Sequence, residues 1–419
     1  MRKLRPARRG LFLQGGTVHT ISGKVIENGS VLIRNGKIVG VGQGLSAPEG
    51  FKTIDIRGQH VYPGMIDSAS MLGLEAPSRE ETSDAQEIGL INPQLHAASA
   101  VNTSSEAIPI TRANGVTSVV EMPEGTLLSG QMSLIHLDGS NNNGMTVLGP
   151  AAVHLRFPAI VTTQIPPYDA DPDDDPAAAA NVEPIPYAQA KQDYDEKMRT
   201  LLTFFARHYR QAKLAKSRDF QTDLRYEALL PVLDGTTPLF VTAVREREIR
   251  EAIEFADKQK IKIILADAYE SYNVLPLIKS HNIPVVLGPT RRLPLNPDDP
   301  EDRPFTIPGE LYKAGIKFSI ATFSASNSRN LPYQAATAVP YGLPEDEAYK
   351  AVSLNAAEIF GVANRLGSIS EGKSADLIVT DGDPLDVRTH VNLMFIGGKP
   401  VNLDTHQKEL YERYGGTVK

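Results

Sequence analysis

The feature that most constrains the fold is an alternation of apolar and amphipathic segments. PLFVTAV at 238–244, IKIILADA at 261–268 and IPVVLGP at 283–289 are almost continuously apolar, as in strands buried on both faces of a parallel sheet. The segments between them, REREIREAIEFADKQK and YESYNVLPLIKSH, have the mixed pattern of surface helices. Continued over about 300 residues, this alternation predicts a TIM-like (β/α)8 barrel.

Short strands separated by turn residues are predicted at both ends of the chain. TVHTISG, GSVLIRNGKIVGVG and FKTIDIRGQHVYPG come first, and Asn35-Gly36 in the second of them is a strong hairpin signal. SADLIVTDG at 374–382 and LMFIGGKPV at 393–401 repeat the pattern near the other end. We therefore expect the two ends to form one small β-sandwich.

The predicted domains follow from these patterns. Residues 10–62 and 367–405 would form the composite sandwich, and residues 63–366 the barrel. The stretch at 166–186, PPYDADPDDDPAAAANVEPIP, interrupts the barrel and predicts an inserted acidic, proline-rich loop. Its spaced aspartates imitate the start of a calcium loop, but the glycine at the sixth position and the glutamate at the twelfth are missing.

Composition narrows the class of protein. The 419 residues are 41% hydrophobic and 22% charged, which is typical of a soluble globular protein. The net charge of -7 and the lack of a long basic stripe argue against nucleic-acid binding. No apolar run approaches the roughly 18 residues of a membrane-spanning helix. There is no cysteine, so the compartment stays open: cytoplasmic, or secreted or periplasmic if a longer precursor was trimmed.

Two motif groups resemble the amidohydrolase superfamily, in particular its imidazolonepropionase-like branch. GKIVGVG and HVYPGMID stand near the start, and LNAAEIFGVANRLGSISEGKSADLIVTDGDPLD spans 354–386. The resemblance implies a (β/α)8 barrel whose mouth holds one or two divalent metals, which activate water for attack on an amide or related bond.

The positions that the resemblance assigns to metal ligands have mostly lost ligating side chains. In the superfamily these are a His-x-His after the first strand, single histidines on the fifth and sixth strands and an aspartate on the eighth. The corresponding residues here are Ala69, Met71, Thr242, Asp267 and Phe323. Zinc requires at least three good protein ligands, and only Asp267 remains suitable. We therefore expect no metal and no other cofactor.

Several polar residues at or after predicted strand ends are candidates for binding a small molecule in the barrel mouth. They are Glu121, His154, Asp267, Glu270 and Arg329. A carboxylate pair could perform general acid–base catalysis. The alternative is structural: the acids could form ion pairs with Arg156 or Arg329, and His154 could be an ordinary hydrogen-bonded histidine.

These observations favour a catalytically silent amidohydrolase. It would bind a ligand in the former active site, or act as a partner subunit of a metal-bearing paralogue in a homo- or hetero-oligomer. One alternative is an active hydrolase of C–N bonds with a metal-free or relocated site that uses Asp267, Glu121 and nearby serines. Another is a purely structural subunit.

Overall fold

The computed structural model describes residues 10–75, 85, 87–162, 184–205 and 221–415. The strands of this part of the chain are β1 (Leu11–His19), β2 (Val25–Arg34), β3 (Lys37–Gly42), β4 (Lys52–Asp55), β5 (His60–Pro63), β6 (Met65–Ser70), β7 (Val116–Glu121), β8 (Leu128–His136), β9 (Thr146–Arg156), β10 (Leu239–Ala243), β11 (Ile263–Asp267), β12 (Val285–Leu287), β13 (Phe318–Ile320), β14 (Leu377–Thr380), β15 (Val391–Ile396) and β16 (Lys399–Pro400).

The same residues form α-helices and short 3-10 helices. The α-helices are α1 (Ala97–Ala100), α2 (Ala107–Ala113), α3 (Asn142–Met145), α4 (Tyr187–Phe204), α5 (Leu224–Leu233), α6 (Glu246–Gln259), α7 (Leu275–Ser280), α8 (Arg303–Lys313), α9 (Leu331–Ala338), α10 (Glu345–Ala351), α11 (Leu354–Ile359) and α12 (His406–Tyr414). The 3-10 helices are Tyr269–Asn273, Ser328–Asn330 and Val339–Tyr341. Most of the predicted insertion at 166–186 lies outside the described residues.

The first sheet joins the two ends of the chain. Its order is β16-β15-β14-β5-β1-β2-β3, with β4 also paired to β1. β5 and β14 pair antiparallel, with Val61 opposite Val379. The predicted hairpin between β2 and β3 forms, and both Asn35 and Gly36 have positive φ, 51° and 79°. The prediction of a small, separate β domain built from both termini, made as a sandwich, is confirmed at the level of a separate sheet domain, and all eight of these strands belong to one sheet.

The second sheet is a nearly closed barrel with the order β6-β7-β8-β9-β10-β11-β12-β13. The gap between β13 and β6 is bridged by the Phe323 N–H, which donates to the Ala69 carbonyl over 2.9 Å. The predicted TIM-like barrel is therefore confirmed.

One barrel strand runs against the others. β8 is antiparallel to both neighbours, β7 and β9. Only residues 122–127 connect β7 to β8, and a parallel crossover needs a dozen residues or more. The alternation of strands and helices did not predict this strand, although the short connection in the sequence contained the signal.

Helix α6 shows how the sequence places the ends of β10 and β11. Ile249 and Ile253 lie one turn apart and are buried against the barrel. Glu248 accepts hydrogen bonds from the main-chain N–H of Val244 and Arg245, which fixes the first turn. The helix ends at Lys260, which adopts the left-handed conformation, φ 53°.

The barrel interior is filled with apolar side chains contributed by successive strands, among them Ile66, Val120, Met132, Phe240, Ile264 and Val286. Phe360, which follows α11, stacks on Phe240 with ring centroids 6.3 Å apart. A second, larger apolar cluster includes residues of the barrel strands and of helices such as α6 and α8. Among the described residues, no helix is long and apolar enough to cross a membrane.

Candidate functional site

We call the C-terminal ends of the parallel barrel strands the mouth, because active sites of such barrels lie there. At the mouth, Ala69 is fully buried and Phe323 is 6% exposed, and both belong to the interior apolar cluster. The Phe323 ring lies 6.4 Å from that of Phe240. These two expected ligand positions therefore present hydrocarbon to the barrel interior.

Met71 does not join Ala69 and Phe323. It is 4% exposed and belongs to the larger apolar cluster, together with Leu72 and Leu74. β6 ends at Ser70, and the chain then turns away from the strand direction. The structure thus brings two of the three apolar residues together and places Met71 elsewhere.

His154 and Thr242 form a buried pair between the neighbouring strands β9 and β10. The imidazole Nδ1 lies 2.8 Å from the Pro123 carbonyl oxygen and Nε2 lies 2.9 Å from Thr242 Oγ1. Because a carbonyl can only accept, Nδ1 carries the proton and donates to Pro123. Burial, and then the nearby Arg156, lower the pKa of His154 to about 3. The ring is therefore neutral, and the Thr242 hydroxyl donates to Nε2.

Asp267 ends β11 in a left-handed conformation, φ 61°. Its Oδ1 accepts a hydrogen bond from Arg292 Nη1 at 3.0 Å, and the two side chains are only 5% and 12% exposed. The Arg292 guanidinium also lies over the Tyr269 ring, 4.9 Å from its centroid. A Cβ at Gly288 would lie 2.4 Å from Asp267 Oδ1, so a larger residue there would displace the carboxylate from its present position. The space remaining beside the pair is about 10 Å³.

The surroundings of Glu270 and Arg329 differ from those of the Asp267–Arg292 pair. Glu270 Oε2 accepts from the main-chain N–H of Glu246 at 2.7 Å, and Oε1 accepts from Asn296 Nδ2 at 3.2 Å. These bonds hold the start of α6. Arg329 is exposed, and its main-chain carbonyl accepts from Asn114. The described contacts do not bring Arg329 to the Asp267 pair.

Glu121 and Asp67 are buried carboxyl groups on adjacent strands. Both are fully buried, and neither oxygen of Glu121 has a hydrogen-bond partner among the residues that the structure describes. Asp67 accepts from the Thr322 N–H at 3.1 Å and from the Thr322 hydroxyl at 2.5 Å. Burial raises the pKa of Asp67 to about 7, against the opposing effect of these hydrogen bonds. Burial, and then Asp67, raise the pKa of Glu121 well above its usual range.

The sequence interpretation did not select Asp67, Arg292 or Pro123. Asp67 stood in the quoted HVYPGMID motif, where an acid among buried residues was the available signal. Arg292 follows the end of β12, and an arginine just after a predicted barrel strand was the available signal for a positive charge at the mouth. Pro123 acts through its main-chain carbonyl, for which the sequence carries no signal. Across the described ranges, no group of three or more His, Cys, Asp or Glu side chains is placed to bind a metal ion.

Comparison with known proteins finds similarities to amidohydrolases. The model of the family described as "Amidohydrolase family" matches residues 305–405. An amidohydrolase from Thermotoga maritima MSB8 superimposes with a TM-score of 0.80 and 25% sequence identity, over 94% of this chain and 99% of the other. These similarities support membership of the amidohydrolase superfamily. The superfamily resemblance drawn from the sequence motifs is confirmed.

Two curated proteins match shorter segments of the chain. An imidazolonepropionase from Flavobacterium johnsoniae is 35% identical over 81 residues, 18% of this chain and 20% of that protein. A dihydroorotase from Citrifermentans bemidjiense is 46% identical over 57 residues, 14% of this chain and 13% of that protein. These matches span no more than a fifth of either relative. The structure of a Xaa-Pro dipeptidase shares the fold, with a TM-score of 0.54 and 15% identity over 94% of this chain and 100% of the other.

Proposed function

We propose that this amidohydrolase-superfamily chain has lost its catalytic metal site. It would act as a catalytically silent subunit that binds a ligand at the mouth or assembles with a metal-bearing relative. The ion pair between Asp267 and Arg292 carries the proposal, because it binds the one carboxylate left at the expected ligand positions. A guanidinium beside this carboxylate supplies the positive charge that a metal would otherwise provide.

The energy of this ion pair opposes metal binding. A metal at Asp267 would have to displace Arg292 and leave a buried guanidinium without its carboxylate. Breaking a buried ion pair in this way costs about 3–5 kcal/mol. A single carboxylate ligand does not offset that cost, because stable zinc sites need at least three protein ligands.

The other expected ligand positions supply no further metal ligand. Ala69 and Phe323 are hydrocarbon packed in the barrel interior, and Met71 lies in the other apolar cluster. The Thr242 hydroxyl donates to His154 Nε2. His154 directs its second nitrogen to Pro123, so neither ring nitrogen is free. These residues do not fit the divalent metal centre that the superfamily implies, and we derive no catalytic step through one.

Shared architecture favours a relative as the partner. The barrel strands and the composite β domain both match those of the Thermotoga amidohydrolase over nearly its whole length. Oligomers are commonly built from equivalent surfaces of related subunits. A chain that keeps the fold can therefore occupy a subunit position in such an oligomer without performing its chemistry.

The His154–Thr242 pair favours one alternative, a metal-free hydrolase. A hydroxyl that donates to an imidazole, which a third group orients, is the arrangement of an activated nucleophile. Two observations weigh against it. His154 is fully buried and Thr242 is 9% exposed, and burial lowers the pKa of His154 to about 3. Such a weak base takes little of the proton from an attacking hydroxyl near neutral pH.

Metal analysis and an amide-hydrolysis assay of the purified full-length chain test the proposal. We expect far less than one equivalent of zinc, manganese or iron, no change in melting temperature with chelator, and no hydrolysis of Xaa-Pro dipeptides or dihydroorotate. One or more equivalents of metal that Asp267→Asn removes would overturn it. Metal-independent hydrolysis that Thr242→Val abolishes, while the melting transition is retained, would establish the alternative.

A further inference from the structure

A second cavity lies at the end of the barrel opposite the mouth. It has a volume of about 260 Å³, and its lining includes Ser105, Glu106, Ile108, Arg112 and Asp138. We call it the lower cavity. Asp138 follows the C-terminal end of β8, which runs against the parallel strands, and Arg112 shortly precedes the start of β7. Both therefore lie where the parallel strands begin, so the lower cavity is separate from the mouth.

The polar groups of the lower cavity are incompletely satisfied. Arg112 Nη1 donates to the Leu137 carbonyl at 2.9 Å and to Asp138 Oδ1 at 3.4 Å. Its Nε is buried and has no partner among the described residues. Ser105 is 6% exposed, and its hydroxyl also lacks a partner there. Unpaired buried donors are costly, so an occupant that accepts hydrogen bonds from them would be bound favourably.

Charge is divided across the lower cavity. The Arg112 side chain is 15% exposed, whereas the Asp138 side chain is 40% exposed. Glu106, a second acid of the lining, is exposed. One partly buried cation and two more exposed acids thus border the same space. A ligand that carried only negative charge would be repelled by the acids, and one that carried only positive charge would be repelled by Arg112.

The lower cavity also has an apolar part, although Thr103 and Ser104 add two more hydroxyl-bearing residues to its lining. Ile108, Leu137 and Met145 are buried residues that contribute hydrocarbon to the cavity surface. A volume of about 260 Å³ is close to the lower end of small-molecule sites, which begin near about 300 Å³. The space therefore suits a compact ligand with an apolar part.

We propose that the lower cavity binds a free α-amino acid with an apolar side chain. Its carboxylate pairs with Arg112 and accepts from Ser105, its ammonium group pairs with Asp138 and Glu106, and its side chain contacts Ile108, Leu137 and Met145. The two unpaired donors gain partners, and the ligand's own opposite charges match the divided charge of the lining. This site is independent of any chemistry at the mouth.

Isothermal titration of the full-length chain with three compounds of similar shape tests the proposal. L-leucine carries both charges, isovalerate only the carboxylate, and isoamylamine only the ammonium group. We expect L-leucine to bind saturably with a Kd below about 10 mM. Isovalerate should bind at least about tenfold more weakly, and isoamylamine should show no binding. No saturable binding of L-leucine would overturn the proposal, as would equal binding of L-leucine and isovalerate.

Variants locate the site. Arg112→Gln should weaken the binding of L-leucine at least about tenfold, because it removes the charge-assisted hydrogen bond to the ligand's carboxylate. Arg57→Gln is the matched control with the same charge change on an exposed side chain of the β domain; an equal loss there would contradict the proposal. If Arg112→Gln fails to fold, Asp138→Asn provides the test instead. This variant should bind L-leucine more weakly and isovalerate no more weakly than the parent does. Unchanged binding of L-leucine would refute the site.

Discussion

Asp67 should make the stability of this protein fall as the pH rises. Its carboxyl group is fully buried, and burial raises its pKa from 3.8 to about 7. Between these two values the folded chain holds a proton at Asp67 that the unfolded chain has released. The folded state then binds more protons, so the free energy of unfolding decreases with increasing pH.

The size of this effect follows from the two pKa values. They differ by about three pH units, and each unit corresponds to about 1.4 kcal/mol. Asp67 therefore contributes its full stability below about pH 4, and about 4 kcal/mol of it is lost once the pH passes about 7. Glu121 adds a loss of the same sign, because burial and the Asp67 charge raise its pKa as well.

The perturbation is Asp67→Asn, which keeps the shape of the side chain and an acceptor for the Thr322 N–H. Because the chain has no tryptophan, urea unfolding is followed by circular dichroism at several values from about pH 5 to about pH 8. We expect the free energy of unfolding to fall less steeply with pH in the variant than in the parent, by the contribution of about one proton. At about pH 8 the variant should be more stable than the parent.

The control for this experiment is Asp55→Asn in the β domain. The hydrogen bonds from Arg57 lower the pKa of Asp55 to about 2. This group is ionised in both states above about pH 5, so its removal should leave the slope unchanged. Equal slopes for the parent and Asp67→Asn would refute the argument that burial controls this carboxyl group.

Three further predictions concern the ion pair, the composite sheet and the buried histidine. Arg292→Met should lower the free energy of unfolding by about 3–5 kcal/mol, and adding Asp267→Leu should recover much of it, as a denaturation double-mutant cycle would show; an additive double variant would mean that the pair is not coupled. Removal of residues 367–419 leaves the edge of β5 unpaired and takes Leu377, Val379 and Phe395 out of the apolar core of the β domain, so we expect aggregation or a lower melting temperature; an unchanged melting temperature would contradict the shared core. Thr242→Val leaves His154 Nε2 buried without its donor and should cost about 1–3 kcal/mol in the same unfolding assay, whereas an unaltered midpoint would argue against that hydrogen bond.

Local sequence patterns predicted much of the fold. The short apolar segments around 238–289 are strands buried on both faces of the parallel sheet. The longer segment between the first two, which is apolar on one side only, is a helix that buries that side against the barrel. Asn35 and Gly36 tolerate positive φ, so the hairpin followed from two residues. The superfamily motifs likewise lie in short continuous segments. Such features depend on near neighbours, which the sequence displays directly.

The candidate site was decided by contacts between residues far apart in the chain. His154 meets Thr242 across 88 positions, and Asp267 meets Arg292 across 25. Ala69 and Met71, two positions apart in the sequence, enter different apolar clusters because β6 ends between them. The sequence could identify which side chains stand at the positions that the resemblance assigns to ligands. Only the tertiary structure could assign their partners, because hydrogen bonds and ion pairs depend on distances that closure of the barrel creates.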